Sequence, residues 1–266
     1  MTQSFCNTTQ RWTLRRAQGN AAMRLICFCY AGGNAAIYLP WQAALGADVE
    51  VVAIQLPGRG TRFGETPIEE MAVAVEAICD AVLPLLDRPY VLFGHSLGAL
   101  LAFEVSHALR ARGAPLPNAL VVSGAQGPRR RVLKRKLHLL NDAELTGELE
   151  RYAGTPREVL DNGELLALVL PIVRADFRMA FAYRHTPRAP LPVPISVFAG
   201  RADNFDSPAQ YEDWFDDTRA GGTLHWFDGG HFFIDSARGQ VLEQLRKILD
   251  HRHAEPAQHR ADCVGP

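Results

Sequence analysis

Six short apolar runs, most of them followed by a helical pattern, recur along the chain and leave it little choice of architecture. They are Arg24–Tyr30, Glu50–Leu56, Pro89–Phe93, Ala119–Ser123, Ile195–Ala199 and Thr223–Phe227. Runs this short and this uniformly apolar read as strands covered on both faces. Helical periodicity is expected over Pro67–Leu86, Leu97–Arg112, Pro208–Thr218 and Ser236–Leu249, with Gly113 placed as a C-terminal cap. Alternation of this kind predicts an α/β fold, a mostly parallel central sheet flanked by helices.

The alternation is interrupted once. From Pro128 to His185 there are helical patterns, over Leu137–Tyr152 and over Glu164–Tyr183 with an early interruption at Pro171, but no strand. Nearly sixty residues is too long for a bare loop, so 128–185 is read as an inserted helical lid within a single domain, 1–266. The site of such a sheet lies beyond the carboxyl ends of its strands, where a lid is well placed. The first ten residues and a tail from 251 to 266 are polar and expected to fray.

Composition narrows the function. With 47% hydrophobic and 21% charged residues and a net charge of -1, the chain has no global field for nucleic acid or an anionic membrane. No secretory signal and no membrane span are read, so the cytoplasm is the expected address. The five scattered cysteines lack C-x-x-C spacing, which argues against a disulfide framework or a structural zinc site; Cys27 and Cys29 are expected as buried strand residues.

The sharpest chemical signal is Gly94-His95-Ser96-Leu97-Gly98, lying between a strand and a helix. That context is the one in which G-x-S-x-G forms a nucleophile elbow, a tight turn presenting a serine at a helix N-terminus. A serine needs a base. Among nine histidines, His231 stands in Gly229-Gly230-His231 between the last strand and the last helix. His225 lies within a strand, His107 within a helix, and His95 could line the pocket. The acid that orients the base should follow an intervening strand, which selects Asp203, with Asp206 and Asp228 as rivals. The order Ser96, Asp203, His231 is that of the α/β-hydrolase fold. Two backbone amides are expected to form an oxyanion hole, that of Leu97 after the nucleophile and that of Ala31 in Ala31-Gly32-Gly33.

Several stretches resemble type II thioesterases, the stand-alone editing hydrolases of polyketide and nonribosomal peptide assembly lines. They are Ala31-Gly32-Gly33, Ile54-Gln55-Leu56-Pro57-Gly58-Arg59, the serine motif, Gly154-Thr155-Pro156, Leu170-Pro171-Ile172-Val173-Arg174-Ala175-Asp176-Phe177 and Gly229-Gly230-His231-Phe232-Phe233, with Tyr38 and Trp41 also in place. The resemblance runs over roughly residues 20 to 250. It implies hydrolysis of acyl groups from the phosphopantetheine arm of acyl or peptidyl carrier proteins, with the same triad and a helical lid. The phosphopantetheine belongs to the substrate and no cofactor or metal is implied. Two positions depart from the pattern, Cys29-Tyr30 where a proline and a histidine are expected and Ala180 where an acid is expected.

Three further readings concern surfaces and rivals. The basic run Arg129 to Lys136 is either a docking patch for an acidic carrier protein or a solvated start to the insertion. Leu165, Leu168, Val169, Ile172, Val173 and Phe177 have helical spacing and are expected to pack the lid. A general carboxylesterase, an acyltransferase and a non-catalytic binding protein would share much of this sequence; a monomer is expected.

Overall fold

A computed structural model describes residues 8–131, 135–203 and 208–254. Seven strands form one sheet: β1 (Thr13–Arg15), β2 (Met23–Phe28), β3 (Val49–Ile54), β4 (Tyr90–His95), β5 (Ala119–Ser123), β6 (Ile195–Gly200) and β7 (Gly222–Phe227). Their spatial order is β1-β3-β2-β4-β5-β6-β7, all parallel except β1, which runs antiparallel to β3. Strands β2 to β5 are buried along their whole length, which is why they read as unbroken apolar runs. The edge strand β7 starts exposed and becomes buried only at Phe227.

Two apolar layers cover the sheet. Ile26, Phe28, Leu92, Leu120, Val122 and Val197 face helices α1 (Met71–Val82) and α2 (Leu97–Ala111). Their neighbours Leu25, Cys27, Val91, Phe93, Val121 and Phe198 face Trp41, Val241, Leu245 and Leu249 on the other side. Successive residues of one strand thus enter opposite layers, as the pleat requires. Cys27 and Cys29 are buried, as read.

Strand β2 leads to β3 on one side of the sheet, and the chain then crosses back to β4 on the other. The carboxyl ends of β2 and β4 therefore flank the topological switch point, where a crevice opens in sheets of this type. The Ala31–Gly33 loop and Ser96 both sit there.

Several expected boundaries move. The first helical pattern gives α1 and then a tighter 3₁₀ turn at Leu83–Leu85, which contains Pro84. Pro208–Thr218 divides into a short helix, Pro208–Glu212, and a 3₁₀ turn, Asp213–Asp217, because Trp214 is buried and its indole N–H donates to the Ala125 carbonyl at 2.7 Å. Gly113 does cap α2: its φ is 65°, and Ala114 N–H reaches back to Leu109 O at 3.0 Å.

Three expectations are corrected. Residues 8–12 form a helical turn and β1 follows, because Thr9 Oγ1 donates to Ala81 O at 2.8 Å and the Arg62 guanidinium lies 4.0 Å from the centre of the Trp12 ring. The last helix, α5 (Arg238–Ala254), runs past 251, with Arg246 paired to Asp250 one turn on at 2.8 Å; residues 255–266 lie outside the described residues. Pro171 does not interrupt its helix. It deletes one backbone donor, but Leu170, Ile172 and Val173 around it are buried and hold the helix through the gap.

The described residues between β5 and β6 are helical or irregular. Helix α3 (Asp142–Tyr152) begins at an Asn141–Glu144 capping box, a short helix covers Arg157–Leu160, and α4 (Gly163–Ala182) is capped by Asn162. Leu145, Leu149, Leu170 and Val173 make a small apolar cluster between α3 and α4. Of the expected stripe, Val169, Ile172, Val173 and Phe177 turn inward or partly so, whereas Leu165 and Leu168 are exposed.

Candidate active site

Strand β4 ends at His95 and α2 begins at Leu97, so Ser96 alone makes the turn, with φ 55° and ψ −116°. A non-glycine residue there is strained and persists only where its surroundings over-determine it. The Ser96 N–H donates to the Ser123 carbonyl at 2.8 Å, which supplies part of that constraint. The two glycines of the motif supply the rest by close approach. A Cβ at Gly94 would overlap the Gly98 carbonyl, and one at Gly98 would overlap the Phe28 carbonyl of β2.

The loop after β6 carries Asp203 and the loop after β7 carries His231, both buried. The loops are tied to each other, Ala202 N–H donating to Gly229 O at 2.9 Å and Arg201 N–H to Phe227 O at 2.9 Å. His231 Nδ1 lies 2.9 Å from Asp203 Oδ2, and the Tyr211 hydroxyl donates to the same oxygen at 2.9 Å. A carboxylate with two donors on one oxygen is fixed in direction and fixes the imidazole in turn. Tyr211 was not found in the sequence, where it is one aromatic in a helical pattern. Of the rival acids, Asp228 is exposed and lies 3.4 Å from Arg201; Asp206 lies outside the described residues.

The imidazole of His231 is walled by rings. His95 lies 5.1 Å away, Phe232 at 5.2 Å and Tyr152, from the end of α3, at 5.5 Å. His95 is fully buried, so it forms part of this wall and not of an open pocket. Tyr30, at one of the departures from pattern, packs edge-on against Phe232 at 4.7 Å. The insertion also touches Phe232 through Gly154, where a Cβ would overlap the ring.

The glycine loop after β2 is held from above. Asp176 of α4, wholly buried, accepts two hydrogen bonds from Arg59, Nη1 to Oδ2 at 2.6 Å and Nη2 to Oδ1 at 2.8 Å. Asp176 Oδ2 also accepts the Gly32 N–H at 2.7 Å. In the same loop Gly33 N–H donates to Tyr30 O at 2.9 Å. Neither Arg59 nor Asp176 was assigned a role from the sequence, and only their occurrence in separate motifs hinted at one. Burial pushes the neighbouring Cys29 thiol up to about 12 against an opposing pull from Arg59, so it remains a thiol at neutral pH.

The other singled-out residues sit apart. His225 is bonded to Thr223 on the outer strand, and His107 is buried against Phe103. In the basic run, Arg129 pairs with Asp217 at 2.8 Å, Arg130 with Asp213 and Asp216, Arg131 donates to Ala180 O at 2.7 Å, and Arg135 is bidentate on Glu148. Residues 132–134 lie outside the described residues. Arg129 and Arg130 thus tie the insertion to the 213–217 turn, whereas Arg131 and Arg135 bond within the insertion. Among the described residues no group of three His, Cys, Asp or Glu side chains is placed to hold a metal, and no helix is long and apolar enough to cross a membrane.

Comparison with known proteins adds to this geometry. A family model described as a thioesterase domain matches residues 23–249. Gramicidin S biosynthesis protein GrsT of Aneurinibacillus migulanus is 33% identical over 251 residues, covering 92% of this chain and 98% of that protein. The structure of the type II thioesterase BorB from the borrelidin biosynthetic cluster matches with a TM-score of 0.83 at 36% identity, over 90% of this chain and 97% of BorB. That of ClbQ from the colibactin NRPS/PKS pathway matches with a TM-score of 0.82 at 30% identity, over 87% and 98% respectively.

Proposed function

Because the chain belongs to the thioesterase family and is a hydrolase of thioesters, we propose that Ser96, His231 and Asp203 are its catalytic triad and that its substrates are acyl groups on the phosphopantetheine arms of carrier proteins in polyketide or nonribosomal peptide synthesis. The observation that carries the triad is the His231–Asp203 hydrogen bond of 2.9 Å, in a wall of rings that includes the neighbour of the strained Ser96. The carrier-bound substrate is favoured by the biosynthetic contexts of GrsT, BorB and ClbQ.

In this reading Ser96 Oγ attacks the thioester carbonyl carbon while His231 takes its proton. The amides of Ala31 and Leu97 stabilise the oxyanion, each contributing about 10²–10³ in rate by comparison with known donors. The C–S bond then breaks and the thiolate recovers the proton from His231. With a thiol pKa of about 8.5, the leaving group departs with little acid assistance. Water, deprotonated by His231, attacks the acyl-serine ester; the bond from the acyl carbon to Ser96 Oγ then breaks, Oγ takes the proton back from His231, and the acid leaves. The chain acts alone, as a cytoplasmic monomer without metal or redox cofactor, and the insertion serves as a lid over His231.

The test is mass spectrometry of acylated carrier proteins incubated with the enzyme. Loss of acyl groups by the wild type, and a loss about 10⁶-fold slower with Ser96→Ala, is expected. Equal turnover of oxygen esters and carrier thioesters would favour a general carboxylesterase. Failure of a fluorophosphonate to label Ser96 would favour a binding protein.

A further inference from the structure

The residue before the nucleophile is joined to the base as well as to the serine. His95 Nδ1 and Ser123 Oγ share a hydrogen bond of 2.9 Å, and Ser123 is also the residue whose carbonyl holds the Ser96 N–H at 2.8 Å. One buried serine at the end of β5 therefore anchors both halves of the elbow, the side chain of 95 and the backbone of 96. The His95 ring rests on Gly124, where a Cβ would come within 2.5 Å of Cε1. Its other ring neighbours are Tyr30 at 5.9 Å and the segment that bears the base, His231 at 5.1 Å, Phe232 at 5.7 Å and Phe233 at 5.6 Å between ring centres. The imidazole is wholly buried, and the backbone of His231 lies close enough to act on it as a hydrogen-bonding group.

We propose that His95 is a positioning residue: locked by Ser123, its ring spaces the elbow of Ser96 from the loop of His231 and so sets the distance across which the proton moves. This rests on the assignment of Ser96 and His231 made above. Two features fit a spacer better than a group that touches substrate. The ring is sealed between β5, Tyr30 and the 231–233 segment, and its bond to Ser123 fixes its rotation. Burial first, and the adjacent His231 second, hold its pKa well below the usual imidazole value, so the ring stays neutral and leaves Asp203 to His231.

Displacing a catalytic group by about 1 Å can cost about 10²-fold in rate. With an acetyl thioester of N-acetylcysteamine as substrate, His95→Phe is expected to lower kcat by about 10- to 100-fold with KM changed by less than about threefold. His95→Asn, whose amide can occupy the place of Nδ1, should recover kcat to within about fivefold of the wild type. Ser123→Ala should lower kcat like His95→Phe, and the double variant should be no slower than the slower single one, because both changes break the same link. Thermal melts of every variant, with assays well below each midpoint, separate these effects from unfolding; if the phenylalanine variant does not fold, the asparagine and Ser123→Ala pair decides. Wild-type kcat in His95→Phe, a change in KM alone, or losses that multiply in the double variant would overturn the proposal. Ser96→Ala is run alongside. If it retains activity, the triad assignment fails; if it is inactive while His95 and Ser123 variants are normal, only the spacer fails.

Discussion

Beneath the site, Val91, Phe93, Val121 and Phe198 interlock with no exposed surface, and Phe93 touches the rings of Tyr38, Trp41 and Phe198. Above it, the segment between β5 and β6 joins the sheet's core through Met179, Ala180 and Tyr183, has a small apolar cluster of its own around Leu145, Leu149, Leu170 and Val173, and is also held by charged groups. Arg59 holds Asp176, Arg129 holds Asp217, Arg135 holds Glu148 and Arg174 holds Asp142. Floor and roof differ in the kind of force that assembles them. Apolar packing is non-directional and cumulative, so it makes a rigid platform for groups that must not move. Ion pairs and caps are few and directional, so each roof contact can be lost singly.

The contrast can be broken at its strongest point first. Phe93→Ala should destabilise the whole domain by about 3–5 kcal/mol, seen in urea as one cooperative transition at lower midpoint. A loss below about 1 kcal/mol would mean the floor repacks and is not the rigid half. Arg59→Met should cost about 3 kcal/mol because it strands a buried carboxylate, whereas Arg59→Met with Asp176→Leu should recover most of that loss. A double variant no better than the single one would show that the charges, not the fit, fasten the roof to the glycine loop.

Acid should act on the floor. Burial, aided by Arg188, depresses the His107 pKa to about 3, so the unfolded chain binds a proton that the folded chain refuses. The sign follows: this contribution is present above the ordinary imidazole pKa of about 6.5 and is lost as pH falls from there toward about 3. His95 is depressed in the same sense. Urea midpoints at several pH values, compared with a His107→Gln variant, should show a shallower acid limb in the variant; identical limbs would exclude His107 as a source. The smallest effect belongs to the roof. Asn141→Ala removes the cap of α3 and should cost about 1 kcal/mol, visible as faster hydrogen exchange confined to α3 amides. Faster exchange throughout the sheet would mean the two halves are not separable.

The same contrast explains what could be read from the sequence. Strands such as β4 and β5 were legible because burial on both faces writes an unbroken apolar run, and Ser96 because the elbow demands glycines at fixed offsets. The helical pattern over Leu137–Tyr152 contains α3 and shares its end. By contrast β1 is three residues long at an edge, too short for a pattern, and was missed. The pair Arg59–Asp176 spans two segments far apart in sequence, and no local spacing encodes which arginine meets which aspartate. Tyr211 was illegible for the same reason: its hydroxyl matters only because the fold carries it to Asp203. The stripe on α4 was partly misjudged, since periodicity gives a face but not its direction, and Leu165 and Leu168 turn to solvent.

Gly154 has a consequence for how the enzyme can vary. The Phe232 ring occupies the volume in which a side chain at 154 would stand, and it also abuts Tyr30 and the imidazole of His231. Bulk on the insertion and bulk beside His231 thus draw on one shared space. A methyl group gained at the first position requires a smaller residue at the second, and a wider chamber near the imidazole is reached by changing both together.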